Sequence, residues 1–152
     1  MRLLAARDCA LQLELIGYQF PALETEPYDS NWLNIRIQAT HPGGKWTATD
    51  PSLQTSEVAR LADWLDGIAK GEISAPSDLS FTEPNLRFEL IAQPTPTVRV
   101  YFELESRPTW ASADIAGMDD LWIDFPVDSR QLSDAAANLR DQLRRFPRRA
   151  SW

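Results

Sequence analysis

The chain has 152 residues, of which 43% are hydrophobic and 24% charged, with a formal net charge of −7 at pH 7. This is globular composition for a chain of about one domain, able to bury a core without metal or disulfide staples, and the single cysteine, Cys9, excludes an internal disulfide. The acidic balance speaks against nucleic acid and anionic lipid as partners, and no run approaches the roughly 18 apolar residues of a membrane-spanning helix.

In the first ten residues the apolar stretch is broken by Arg7 and Asp8, unlike a signal peptide, so a cytoplasmic location is expected. The first period-two alternation follows, with Leu11, Leu13 and Leu15 on one face and Gln12, Glu14 and Ile16 on the other. Residues 21–31 read as a loop. A second alternation sets Leu33, Ile35, Ile37 and Ala39 against Asn34, Arg36 and Gln38. His41-Pro42-Gly43-Gly44-Lys45 then predicts a hairpin turn into a short strand, Trp46 to Thr49, because glycine supplies the positive φ such turns need.

From about Ser56 to Lys70 the period becomes helical, with Val58, Leu61, Leu65 and Ile68 forming the stripe. Thr55 is the expected N-cap and Gly71 the residue just past the C-cap, while Gly67 inside the helix costs about 1 kcal/mol relative to alanine. Alternation returns in Leu86, Phe88, Leu90 and Ala92, and again in Val98, Val100, Phe102 and Leu104, across a turn at Gln93-Pro94-Thr95-Pro96-Thr97. Residues 106–119 read as a long loop containing Trp110. The last alternating segment is Leu121, Ile123, Phe125 and Val127, with Pro126 marking an edge strand or a bulge. A second helix is predicted from about Ser129 to Phe146, with Asp128 and Gln131 as a capping box and Pro147 as its stop. Leu132, Ala135, Ala136, Leu139, Leu143 and Phe146 are its buried stripe; burying the four large members is worth roughly 6–12 kcal/mol gross.

Alternating strands with one apolar face argue for antiparallel pairing. The expected fold is therefore α+β: one domain over residues 1–152, two-layered, with a mostly antiparallel sheet of five to seven strands and both helices packed on one face. No internal repeat is visible in the sequence.

No catalytic constellation emerges. His41, the only histidine, sits in a probable turn; zinc spacings, a GxSxG nucleophile and Gly-rich phosphate loops are absent, and no cofactor is implied. Asp114, Asp119, Asp120, Asp124 and Asp128 are too irregularly spaced for a calcium loop and read as solvated acids and caps. Five arginines within residues 140–149 read as a solvated helix end whose charge suits the helix dipole. The six tryptophans are the compositional oddity. Trp32, Trp46 and Trp64 are expected to pack in or around the core. Trp122 is expected on the outer sheet face, sharing it with Ile16, Ile91 and Tyr101 among Arg36, Arg87, Arg99, Glu89 and Glu103, a mixture with interface character. Paired charges on a solvated face are the alternative. Trp122, Tyr101, Ile91 and Arg99, with Trp110 in its loop, are the candidate partner contacts.

Four strings narrow the choice: Gly17-Tyr18-Gln19-Phe20-Pro21, Tyr28-Asp29-Ser30-Asn31-Trp32-Leu33, Asp50-Pro51-Ser52-Leu53-Gln54-Thr55-Ser56-Glu57 and Phe146-Pro147-Arg148. In order and spacing they resemble a bacterial family labelled WapI-type immunity proteins. The resemblance implies a cytoplasmic, non-catalytic protein that binds and neutralises a toxin domain delivered by neighbouring cells; it carries no functional residues with it. The expectation is a protein partner, a basic toxin domain being the natural fit to an acidic chain, with a homodimer as another way to cover the open sheet face. The competing reading is a small-molecule or carbohydrate-binding domain using loop aromatics such as Trp110.

Overall fold

The computed structural model describes residues 1–5, 8–92, 95–111 and 121–150. Every alternating segment forms a strand, and its apolar members are buried or half-buried except Ala92 and Leu104. The elements run β1 (Arg2–Leu4), β2 (Ala10–Tyr18), β3 (Trp32–His41), β4 (Gly44–Gln54), α1 (Thr55–Ala69), β5 (Ser77–Leu79), β6 (Leu86–Ala92), β7 (Pro96–Phe102), β8 (Leu121–Pro126) and α2 (Ser129–Arg145). The class is α+β and the pairing antiparallel throughout, but the single sheet of five to seven strands is two sheets of four, ordered β1-β2-β3-β4 and β5-β6-β7-β8. Alternation reports sidedness and carries no information about which strands share a ladder, so it could not separate the two. The chain thus runs through four antiparallel strands and a helix twice, a repetition of topology without a repetition of sequence.

The apolar faces of both sheets and both helices meet in one core. Within the sheets, Leu13 lies opposite Ile37, and Val100 opposite both Phe88 and Ile123. The two sheets meet where Trp46 of β4 packs edge-on to Phe102 of β7, ring centres 5.1 Å apart. Pro126 ends β8, an edge strand, where its missing N–H costs no ladder bond. β4 is longer than the expected Trp46–Thr49 and includes Pro51; the register slips between Leu33 and Ile35, which absorbs the irregularity. Leu104 does not extend the β7 alternation. It enters a short 3-10 turn with φ 46° and is 58% exposed, since the strand ends at Phe102.

The helices pack against each other, and each is tied to the sheet of the other half. From α1, Trp64 reaches Phe88 of β6, and its indole N–H donates to Ser77 Oγ at 3.0 Å. The buried Glu57 carboxylate accepts from Gln54 N (2.9 Å), closing the first turn, and from the N–H and hydroxyl of Thr82. The N-cap is therefore Gln54, one residue before the expected Thr55, whose hydroxyl instead donates to Asn31 Oδ1 at 3.1 Å. From α2, buried Gln142 accepts from Leu15 N at 2.7 Å and donates to Leu13 O at 3.3 Å. β1 pairs with β2 only as far as Gln12, so this amide continues the ladder along an edge the short strand leaves uncovered. Asp128 caps α2 through Gln131 N (2.7 Å) as expected, but the Gln131 side chain reaches to Leu4 O and does not close the box. Leu132 and Leu139 are fully buried; Leu143 and Phe146 are half-buried, so the large members of the stripe contribute less than full burial of all four would.

The end of α1 explains Gly67. Glu72 N donates to Gly67 O (2.8 Å) and Gly71 N to Ile68 O (3.0 Å), with Gly71 at φ 73°. This Schellman turn folds Ile73 back over the helix, and a Cβ on Gly67 would lie 2.8 Å from Ile73 Cδ1.

Two measurements test this account. Gln142→Leu strands the Leu15 N–H and should lower stability by about 1–3 kcal/mol in urea denaturation; an unchanged midpoint would remove the amide from the ladder. Gly67→Ala should destabilise despite alanine's helix preference of about 1 kcal/mol, yet become neutral or stabilising in an Ile73→Ala background. The same sign in both backgrounds would show that Ile73 is not the reason for the glycine.

Candidate functional site

The outward side chains of the second sheet come from β6, β7 and β8, and register alone brings them together. Arg87 lies opposite Tyr101, and Tyr101 opposite Trp122; Glu89 lies opposite Arg99, and Arg99 opposite Asp124. Side chains of one parity on neighbouring strands share a face, so these six form two adjacent rows.

Their contacts make one connected network. Arg99 donates to both Asp124 oxygens, Nε to Oδ1 at 2.7 Å and Nη2 to Oδ2 at 2.9 Å, and its guanidinium lies 4.7 Å from the centre of the Trp122 ring. Tyr101 donates its hydroxyl to Glu89 Oε2 at 2.7 Å, and Arg87 sits 3.5 Å above its ring. The rings of Tyr101 and Trp122 are 6.0 Å apart and tilted by 53°. The hydrogen bond it donates to Asp124 is the main reason the Arg99 guanidinium is held above its already high ordinary value. Bidentate pairing and two cation–π contacts fix long side chains that would otherwise be mobile.

The structure brings Trp122, Tyr101, Arg99 and Ile91 onto this one sheet face, with one correction. Tyr101 was expected to be open to solvent, but Arg87 above it and Trp122 beside it leave it only 6% exposed, whereas Trp122 is 37% exposed. Ile91 is half-buried opposite Thr97. Ile16 and Arg36 belong to the other sheet, whose outer face carries the exposed Ile16 and is otherwise polar: Gln12, Gln38, Thr47 and Thr49 lie around an Arg36–Glu14 pair at 3.6 Å. Trp110 belongs to a third place. It packs on the β3–β4 turn, where a Cβ on Gly43 would meet its ring at 2.8 Å, and it stacks on His41 and meets Trp46 edge-on. Gly43 is required by that close approach, and the turn's positive φ falls on Gly44.

Of the acids weighed as metal ligands, Asp124 is committed to Arg99 and Asp128 to the cap of α2; Asp114, Asp119 and Asp120 lie outside the described residues. Among the described residues no group of three His, Cys, Asp or Glu side chains is disposed to hold a metal ion. One acidic cluster went unnoticed in the sequence because its members are far apart in the chain. Asp50 of β4 faces the charges of Glu105 and Glu83, and buried Asn85 donates to Asp50 at 3.4 Å and to Glu105 at 3.1 Å. Partial burial first, then Glu105 and Glu83, raise the Asp50 carboxyl above the ordinary range, and the Asn85 hydrogen bond opposes them.

The four strings that carry the family resemblance converge in space. Asn31, 3% exposed, ties the second string to the third and to the residue just past the fourth: its Oδ1 accepts from Thr55 Oγ1 and from Arg149 N (2.9 Å), and its Nδ2 donates to Pro27 O (2.8 Å) and Arg149 O (3.1 Å). Tyr18 donates its hydroxyl to Pro147 O, meets Phe146 edge-on at 5.8 Å, and lies under the Arg149 guanidinium.

The Asp50 cluster yields a pH test. A carboxyl raised by folding binds its proton more tightly in the folded state, so the associated stability is full below the ordinary aspartate value of about 3.9 and is lost as pH rises through the folded value. Asp50→Asn should therefore be more stable than the parent at neutral pH, with the gap closing as pH falls through about 4. A gap of constant size across that range would contradict the like-charge account.

A search of curated proteins found no match to the chain. A family model described as the immunity protein WapI-like family matches residues 2–147. With all but its two ends inside that match, the chain belongs to the WapI-like immunity protein family.

Proposed function

We propose that this chain is a non-catalytic immunity protein that binds and neutralises a bacterial toxin domain, and that the outer face of β6, β7 and β8 is the surface it uses. The observation that carries this reading is the network around Trp122. An exposed tryptophan braced by an arginine and a tyrosine matches the residue types that dominate protein interfaces. The polar groups beneath it are engaged already, Arg99 with Asp124 as an ion pair and Glu89 with the Tyr101 hydroxyl, which lowers the cost of covering the face. The side chains are held before the partner arrives, which lowers the ordering cost of association. The net charge of −7 would steer the chain toward a basic domain. Family membership supports the toxin as the kind of partner. Trp110, Trp46 and His41 form a separate aromatic group packed on the β3–β4 hairpin, with Trp110 40% exposed, whereas Trp122 is braced by an ion-paired arginine.

Calorimetric titration of the purified chain against the toxin-like domain encoded beside it tests the proposal. Trp122→Ala should weaken binding by about 2 kcal/mol or more, roughly 30-fold, with Arg99→Ala close behind. Thr47→Ala, on the outer face of the other sheet, should leave affinity unchanged. Equal affinity for parent and Trp122→Ala would move the contact elsewhere, and failure to bind any product of the adjacent genes would remove the function.

A further inference from the structure

The packed helices leave an open groove on their outer side, and nothing in the immunity reading uses it. It has a volume of about 450 Å³ and lies between the first two turns of α1 and the end of α2. Its floor is apolar, formed by Ala59, Leu143, Phe146 and Pro147, and its rims carry Arg60 and Arg148. We infer that this groove is a second docking site, for a short acidic peptide segment of a protein partner, with one apolar side chain on the floor and carboxylates on Arg60 and Arg148.

Charge and rigidity carry the assignment. In a chain of net charge −7, the arginines of residues 140–149 are the one concentrated positive region. Most are spoken for. Arg140 bridges Asp63 and Asp66 of α1 at 2.8 and 3.3 Å, Arg144 pairs with Asp141, and Arg149 donates to Phe20 O and Leu23 O while lying on Tyr18. Arg148 is exposed and meets no carboxylate among the described residues. Arg60 donates to Ser80 O, lies 5.6 Å from the Phe81 ring and makes a long ion pair of 4.0 Å with Glu57, whose carboxylate also accepts from Gln54 and Thr82. A guanidinium has five N–H donors, so one carbonyl holds it in place and leaves others for a ligand. Among the described residues the groove lining carries two arginines and one acid, Asp63, which is paired with Arg140.

The groove wall that would most easily move is pinned. Pro147 accepts from Tyr18, and the backbone just beyond Arg148 is held on both sides by Asn31. A preformed apolar floor between two arginines favours an extended acidic segment with a single anchor. Phosphate would use the arginines alone and leave the floor empty, and a bilayer would be repelled by the acidic remainder of the chain.

The experiment is an NMR titration of the full ¹⁵N-labelled chain at low salt with a synthetic peptide bearing one leucine flanked by glutamates. Shifts should appear at Ala59, Arg60, Leu143 and Phe146. Affinity should fall about tenfold in Arg148→Glu and again in Arg60→Glu, and should weaken as salt rises. Ala59→Trp, which fills the groove without changing charge, should block binding, while Trp122→Ala should leave it intact. The assignment is overturned by any of three results: no shifts at millimolar peptide, shifts confined to β6–β8, or inorganic phosphate or anionic vesicles shifting these residues where the peptide does not. Because the readout uses neither a toxin nor the β6–β8 face, its failure is distinguishable from failure of the immunity reading.

Discussion

Each helix covers the sheet of the half to which it does not belong, and the remainder of the structure depends on that exchange. α1 follows the first four strands, yet Trp64 packs on Phe88 and bonds to Ser77, and Glu57 holds Thr82. α2 follows the second four, yet Gln142 completes the edge of β2, and the tail beyond it is held by Tyr18 and Asn31. A four-stranded sheet with one apolar face cannot leave that face in water, and here its cover arrives from the other end of the chain. The two meanders therefore bury their apolar sides in a common core, and polar ties of long sequence separation set how they sit. Such ties are costly to break, because a buried donor left without its partner loses its hydration as well as its bond.

With both inner faces committed, function is left to what points outward, and the two sheets differ there. The first presents threonines, glutamines, one loose ion pair and an exposed Ile16. The second presents Trp122 on a platform of Arg99, Tyr101, Arg87, Glu89 and Asp124 whose polar atoms already pair with one another. This difference, more than exposure alone, singles out the second sheet. The helical layer offers a surface of opposite character, a small apolar groove between arginines in an otherwise acidic chain. An acidic protein with one aromatic face and one basic groove has two chemically distinct places to meet partners.

Much of this was legible from residue order, for local reasons. Strand sidedness follows from a two-residue period, so Leu13, Ile35, Phe88, Val100 and Ile123 could be assigned inward before any pairing was known. The Asp128 cap, the role of Gly71 and the edge position of Pro126 follow from backbone chemistry within a few residues. Trp122 and Arg99 could be placed on one outer face by parity. The burial of Tyr101 could not, because it depends on Arg87 from a neighbouring strand folding over the ring. The same holds for Gln54 displacing Thr55 as the cap, since Asn31, 24 residues away, claims the threonine hydroxyl.

The sequence by itself determined the elements, their polarity and the family to which the chain belongs, because periodicity, capping and short strings are written in neighbouring residues. Only the tertiary structure decided that the strands divide into two sheets, that the helices are exchanged between halves, and that Asp50 gathers Glu83 and Glu105 around Asn85. Ladder membership and side-chain convergence are set by which apolar surfaces meet, a many-body outcome of burial that no local pattern encodes.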